Sequence, residues 1–143
     1  MAQKENNIIP MIFDEAFYRK MATQKWRQQD YKKAAEYYEK VLELSPKDFD
    51  IQQHYAQCLV KLNIGKKAER LFYENIVKDF HVAESFYELS QLNIELNEPN
   101  KAFLFGINYV ILSEDKDFRE MLEKTFEVAY TNEQKIELEA QLF

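Results

Sequence analysis

DYKKAAEYYEKVLEL, residues 30–44, sets Ala34, Tyr38, Val41 and Leu42 at helical spacing and carries no His, Cys, Gly or Ser on which chemistry could turn. Pro46, just beyond it, stops the helix. Two further stretches, GKKAERLFYENIV (65–77) and PNKAFLFGINYVIL (99–112), lie over the first without a gap, so Ala34, Ala68 and Ala102 stand 34 residues apart. Upstream, Ala22, Ala56 and Ser90 fall into the same register, as do Met21, Tyr55 and Leu89; downstream, Leu42, Ile76 and Val110 do so too. Several columns of matched size at one period mark an internal repeat.

Each repeat reads as two helices. The first helices are expected at about 14–28, 48–62 and 82–96, and the second at about 30–44, 65–78 and 98–112. Asp14, Asp30 and Asp48 can accept the free amides of a first turn. Asn97 is expected to do the same ahead of Pro99. Short connections make each pair an antiparallel hairpin, giving repeats at about 14–47, 48–81 and 82–114. The small columns belong where paired helices cross, with Tyr18, Tyr38, Phe72 and Phe86 filling the space beside them. Beyond the repeats, DFREMLEKTFEVAY (117–130) puts Phe118, Met121, Leu122, Thr125, Phe126 and Ala129 on one stripe, a seventh helix covering the open end. TNEQKIELEAQLF (131–143) opens with Thr131 and Gln134 at capping-box spacing and finishes on Leu142 and Phe143, an apolar ending that predicts a parent chain continuing past it. Residues 1–13 are expected to be extended, because Pro10 bars a helix through NNIIPMIF. The segment is read as a lid on the first hairpin, with its own groove or a neighbour's as the alternative seats.

Composition narrows the function. With 46% hydrophobic residues, 15% aromatic residues and only two Gly, the chain is a helical globular one. A net charge of -6 with both signs mixed along the helices argues against nucleic acid, whose binders need a basic face. No apolar run is long enough for a membrane span and no export signal opens the chain, so a cytoplasmic setting is expected. Cys58 stands alone, and His54 and His81 have no partner at ligand spacing, so neither a metal nor a cofactor is expected. The acids of EDKD (114–117) lack the Gly and spacing of a calcium loop and read as a turn and helix start. Nothing in the sequence points to an enzyme.

The pattern resembles the tetratricopeptide repeat. The first unit carries it best, through Tyr18, Ala22, Ala34, Tyr38 and Pro46. The second keeps Ala56, Ala68 and Phe72 but has Gln52 and Phe80 in place of an aromatic and a proline; the third keeps Phe86, Leu89 and Ala102 but has Gly106 and Glu114 there. The chain is also similar to the N-terminal part of longer bacterial tetratricopeptide-repeat proteins. The resemblance implies an all-α fold, a right-handed superhelix of three helix–turn–helix repeats with C-terminal capping helices, whose first helices line a concave groove.

On those faces lie Arg19, Thr23, Trp26 and Arg27 in the first unit, Gln53, Gln57, Val60 and Lys61 in the second, and Tyr87, Gln91, Ile94 and Glu95 in the third. Trp26 is the expected anchor of a protein or peptide partner, unless it packs under the N-terminal segment or against the next helix. A chaperone-type clamp on a peptide's terminal carboxylate is not expected. Arg19 could supply its first cation, but Thr23, His54, Glu84 and Glu88 occupy the other positions, and two acids there repel a carboxylate. The expected function is a protein-interaction scaffold, monomeric or weakly dimeric. A small acidic secretion chaperone and a purely architectural solenoid are the alternatives.

Overall fold

Asp14, Asp30 and Asp48 each aim a carboxylate at a free amide of the helix that follows, accepting from Phe17 N at 3.0 Å, Lys33 N at 3.2 Å and Ile51 N at 3.1 Å. Asp115 does the same for Phe118 N at 2.9 Å, so the expected start within EDKD is also a cap. The computed structural model describes residues 14–129, with side chains to Thr125. The expectations for residues 1–13, for 131–143 and for the side chains of Phe126 and Ala129 fall outside the described residues.

Among the described residues there are seven helices: α1 Glu15–Arg27, α2 Tyr31–Leu44, α3 Phe49–Lys61, α4 Gly65–Val77, α5 Val82–Glu95, α6 Pro99–Ser113 and α7 Lys116–Ala129. The fold is all-α, as expected. No described helix is long and apolar enough to cross a membrane.

The helix exits repeat as faithfully as the core. Gln29, Asn63 and Asn97, 34 residues apart, all adopt left-handed backbone, with φ of 59°, 62° and 57°. Each donates its amide back to the carbonyl three residues before, and the next residue donates five back: Gln29 to Trp26 and Asp30 to Lys25, Asn63 to Val60 and Ile64 to Leu59, Asn97 to Ile94 and Glu98 to Asn93. This paired bond closes a helix C-terminus by satisfying carbonyls that lack an intrahelical donor. Asp79, with φ of 63°, ends α4 in the same way. Asn97 is therefore not the cap of α6, as its polarity had predicted. It is the left-handed residue that ends α5, and α6 starts at Pro99, whose missing N–H costs nothing there.

The chain divides into two compact units, Met1–Leu71 and Phe72–Phe143. In the first, α1 packs on α2 and α2 on α3. Ala22, Ala34, Ala56 and Ala68 are fully buried, and Tyr38, Val41, Cys58 and Leu59 pack out the core around them. Burial pushes the Tyr38 hydroxyl up to about 12, helped by Cys58. Polar clasps join the helices: the Tyr55 hydroxyl donates to Glu39 at 2.8 Å and accepts from Lys67 at 2.9 Å, and Gln52 Nε2 donates to the Leu71 carbonyl at 3.3 Å.

In the second unit α5 packs on α6 and α6 on α7. Ser90 stands where earlier repeats have Ala, and its hydroxyl donates to the Ala102 carbonyl at 2.7 Å, which places that helix crossing directly. Gly106 holds the position that Tyr38 and Phe72 take in the earlier repeats. A Cβ there would lie 2.7 Å from a Leu122 methyl and 3.0 Å from Ser90 Oγ. The missing aromatic is thus replaced from outside the repeat: Leu122 of α7, itself fully buried, fills the place that glycine leaves open.

Two stability predictions follow from these close contacts. Gln29→Gly removes the left-handed strain of a side-chain-bearing residue and should raise stability by about 0.5–1 kcal/mol, read as a higher midpoint in thermal melts. Gly106→Ala should cost about 1–3 kcal/mol by overpacking and Leu122→Ala about 2–5 kcal/mol by opening a cavity. The double variant should lose less than the sum, because the added methyl enters the space that leucine vacates.

Candidate functional site

Residues read as facing a partner separate into three groups once the helices are built. The first group, Thr23 and Arg27, is exposed along α1. Arg19, Lys20, Thr23, Gln24, Arg27 and Gln28 border a concavity of about 760 Å³. Thr23 donates its hydroxyl to the Arg19 carbonyl at 3.0 Å, which leaves the oxygen lone pairs free to accept. Arg27 extends into solvent and makes no ion pair among the described residues.

A second group converges at the far end of the same unit. The Trp26 indole meets the Tyr31 ring edge-on, with centroids 5.1 Å apart, and Lys61 Nζ lies 6.0 Å from the centre of that ring. The opening of α2 thus gathers residues from the ends of α1 and α3. Trp26 is half-buried in this arrangement. It packs against the next helix, the alternative reading of the sequence, and still presents part of its ring. Gln57 and Val60 are half-buried on α3. Such a corner of aromatic, cationic and amide groups suits contact with a peptide: the ring surface excludes water, and the polar atoms stay ready for backbone partners.

The third group is committed to the fold. Gln53 is only 1% exposed, so it belongs to the helix packing and not to an open face. Arg19 donates to Asp48, pairs with Glu15 through Nε at 3.4 Å, and Glu15 in turn accepts from the Ser45 hydroxyl. These four groups fasten α1 to the turn between α2 and α3. The cation expected to meet a carboxylate ligand already has two carboxylates of its own. In the second unit, Tyr87 sits in a three-ring cluster, 5.2 Å from Tyr109 and 5.2 Å from Phe118, while Tyr109 and Phe118 are 4.9 Å apart. Gln91 donates to the Tyr87 hydroxyl at 3.1 Å, and Ile94 packs on the same core as α7. Tyr87 and Ile94 therefore help seat α7. The sequence predicted a seventh helix over the open end, but not which residues it would cover, because that helix lies outside the repeat.

The remaining reactive side chains are separate. His54 stacks edge-on with Tyr38 at 6.0 Å, whereas His81 lies 3.6 Å from Glu84. Cys58 is fully buried, and burial pushes its thiol up to about 12, well away from nucleophilic chemistry at neutral pH.

A tetratricopeptide-repeat family model matches residues 25–72. No curated protein matches the sequence. Among solved structures, the MamA protein is similar with a TM-score of 0.70 and 19% identity, over 80% of this chain and 63% of that one. The TPR2AB domain of yeast Sti1, solved as a complex with pHSP90, is similar with a TM-score of 0.62 and 18% identity, over 90% of this chain and 54% of that one. The chain thus spans less than two-thirds of either. At these identities the likeness is one of fold.

The Arg19 fastening carries a pH signature. Burial raises the Asp48 carboxyl, but the Arg19 hydrogen bond, the Ile51 amide and the Arg19 charge together outweigh it and hold the group below its usual range. A depressed folded value means that the contribution is complete above the unfolded value of about 3.9 and disappears as pH falls through the lower folded value. Asp48→Asn should therefore lower the melting temperature at neutral pH and flatten its decline on the acid side, measured by melts from pH 7 downward.

Proposed function

The chain is a tetratricopeptide-repeat protein, and from that premise we propose that it is a non-enzymatic protein-interaction scaffold. It takes a peptide or helix of a partner against the faces of α1 and α3. The observation that carries this reading is the corner formed by Trp26, Tyr31 and Lys61, continued along α1 by the exposed Thr23 and Arg27. Aromatic and Arg side chains concentrate binding energy where they are partly desolvated and rigidly held. Trp26 meets the second condition through its contact with Tyr31.

Gln57 and Val60 extend the contact on α3, whereas Gln53, Tyr87 and Ile94 are left out because they pack inside their units. The Sti1 structure holds a pHSP90 partner. In this chain Arg19 is engaged by Asp48 and Glu15, so a ligand of that kind would have to displace an internal ion pair. We place the partner contact instead at Thr23, Trp26, Arg27 and Lys61.

Thr23→Ala/Arg27→Ala truncates two exposed side chains and should leave the circular dichroism spectrum and melting temperature unchanged within about 0.5 kcal/mol. A displayed random-peptide library panned against the wild-type chain should yield peptides that the double variant fails to retain. Identical peptides from both, or none from the wild type, would remove this surface as the binding site.

A further inference from the structure

The repeat supplies its own control for what the outward face of a second helix needs. In α2 that face carries Glu36, Glu39, Lys40 and Glu43, all exposed. The residues 34 positions later, Arg70, Tyr73, Glu74 and Val77, are half charged and half apolar. Another 34 residues on, the same positions hold Leu104, Ile107, Asn108 and Ile111. Lys101 is the sole charged residue of α6, where α2 has six. This face is only partly covered within the unit: Ile107 is half-buried, but Leu104 is 42% exposed, Ile111 68% and the adjacent Leu112 54%. Large apolar side chains in a row mark a contact surface, since each exposes area that water solvates poorly.

We propose that a second copy of this chain covers the α6 face, with the two α6 helices packed antiparallel about a two-fold axis. The rim selects this occupant. Ile107, Val110 and Ile111 floor a cavity of about 420 Å³, and Glu114, Asp115, Lys116 and Arg119 form its edge. Two of the four charges are already used: Asp115 accepts from the Tyr109 hydroxyl and the Phe118 amide, and Arg119 pairs with Glu123 at 3.3 Å. Glu114 at the end of α6 and Lys101 at its start, of opposite sign and exposed at the two ends of the apolar stripe, make no ion pair among the described residues. A two-fold axis sets each surface against its own image. With the antiparallel helices centred on Ile107 and Asn108, Glu114 of one copy then meets Lys101 of the other, twice, around an apolar centre. Although each chain carries -6, α6 brings almost none of that charge to the contact. The inference does not rest on the peptide face of α1 and α3.

Sedimentation equilibrium of the full chain, from micromolar to submillimolar concentration, tests it. The wild type should dimerise reversibly, and Ile111→Glu should be monomeric with an unchanged circular dichroism spectrum. Glu114→Lys and Lys101→Glu should each weaken the dimer by about tenfold. The double reversal Glu114→Lys/Lys101→Glu should restore it, which only pairing between copies predicts. A wild type that stays monomeric throughout overturns the proposal, whether the face is covered by another protein or by the chain's own residues 131–143; a lower melting temperature for Ile111→Glu would identify the latter. A dimer that survives Ile111→Glu, or is not recovered by the double reversal, overturns it as well.

Discussion

Two helices can pack along their length only if something small stands where their axes come closest, and every repeat of this chain meets that requirement. Ala22, Ala34, Ala56, Ala68, Ser90 and Ala102 are all fully buried. The close crossings let the larger groups beside them, Tyr38, Phe72 and Leu89 among them, reach full burial in a chain of modest size. They also bring backbone near enough for side chains to bond across helices, as Ser90 does to the Ala102 carbonyl. The turns obey the same economy of space. A left-handed residue closes α1, α3, α4, α5 and α6 within a single step, so the next helix can start at once on the return course.

What varies between the repeats is what each must do at its edges. The first keeps an aromatic at Tyr38, a charged outer face on α2 and a fastening of Glu15, Arg19, Ser45 and Asp48. In the third the aromatic gives way to Gly106, so that α7 can insert Leu122, and the outer face becomes apolar. A repeat departs from its own pattern where it stops meeting another copy of itself and meets something else. Gly106 has an identified reason of this kind, and the α6 face follows the same logic.

The fold was legible because periodicity survives without side-chain detail. Columns of Ala, Ser and aromatics, with Asp14, Asp30 and Asp48 as caps, were enough to place six helices to within a few residues. The site was legible only in part. Helical spacing tells which face a residue is on but not what has been laid against that face, so Gln53 and Tyr87 looked alike with Gln57 and Thr23. Arg19 was read as available because its acceptor, Asp48, lies 29 residues away and already had a role as a cap. Two signals went unread. Asn at 63 and 97, with Gln at 29, spells out the left-handed exits, since Asn tolerates that backbone best after glycine. The loss of charge from Glu36, Glu39, Lys40 and Glu43 to Leu104, Ile107, Asn108 and Ile111 was also there to be compared.

Cys58 is a built-in gauge of how often the first unit breathes. Oxidants and alkylating reagents attack the thiolate, and in the closed protein burial denies both the charge and the access. The sulfur becomes reactive only while α3 is lifted from its neighbours, so the pace at which it is modified counts those openings. The same packing leaves the cysteine a poor guide to the redox state of its surroundings, since a thiol that is shut away stays reduced in either.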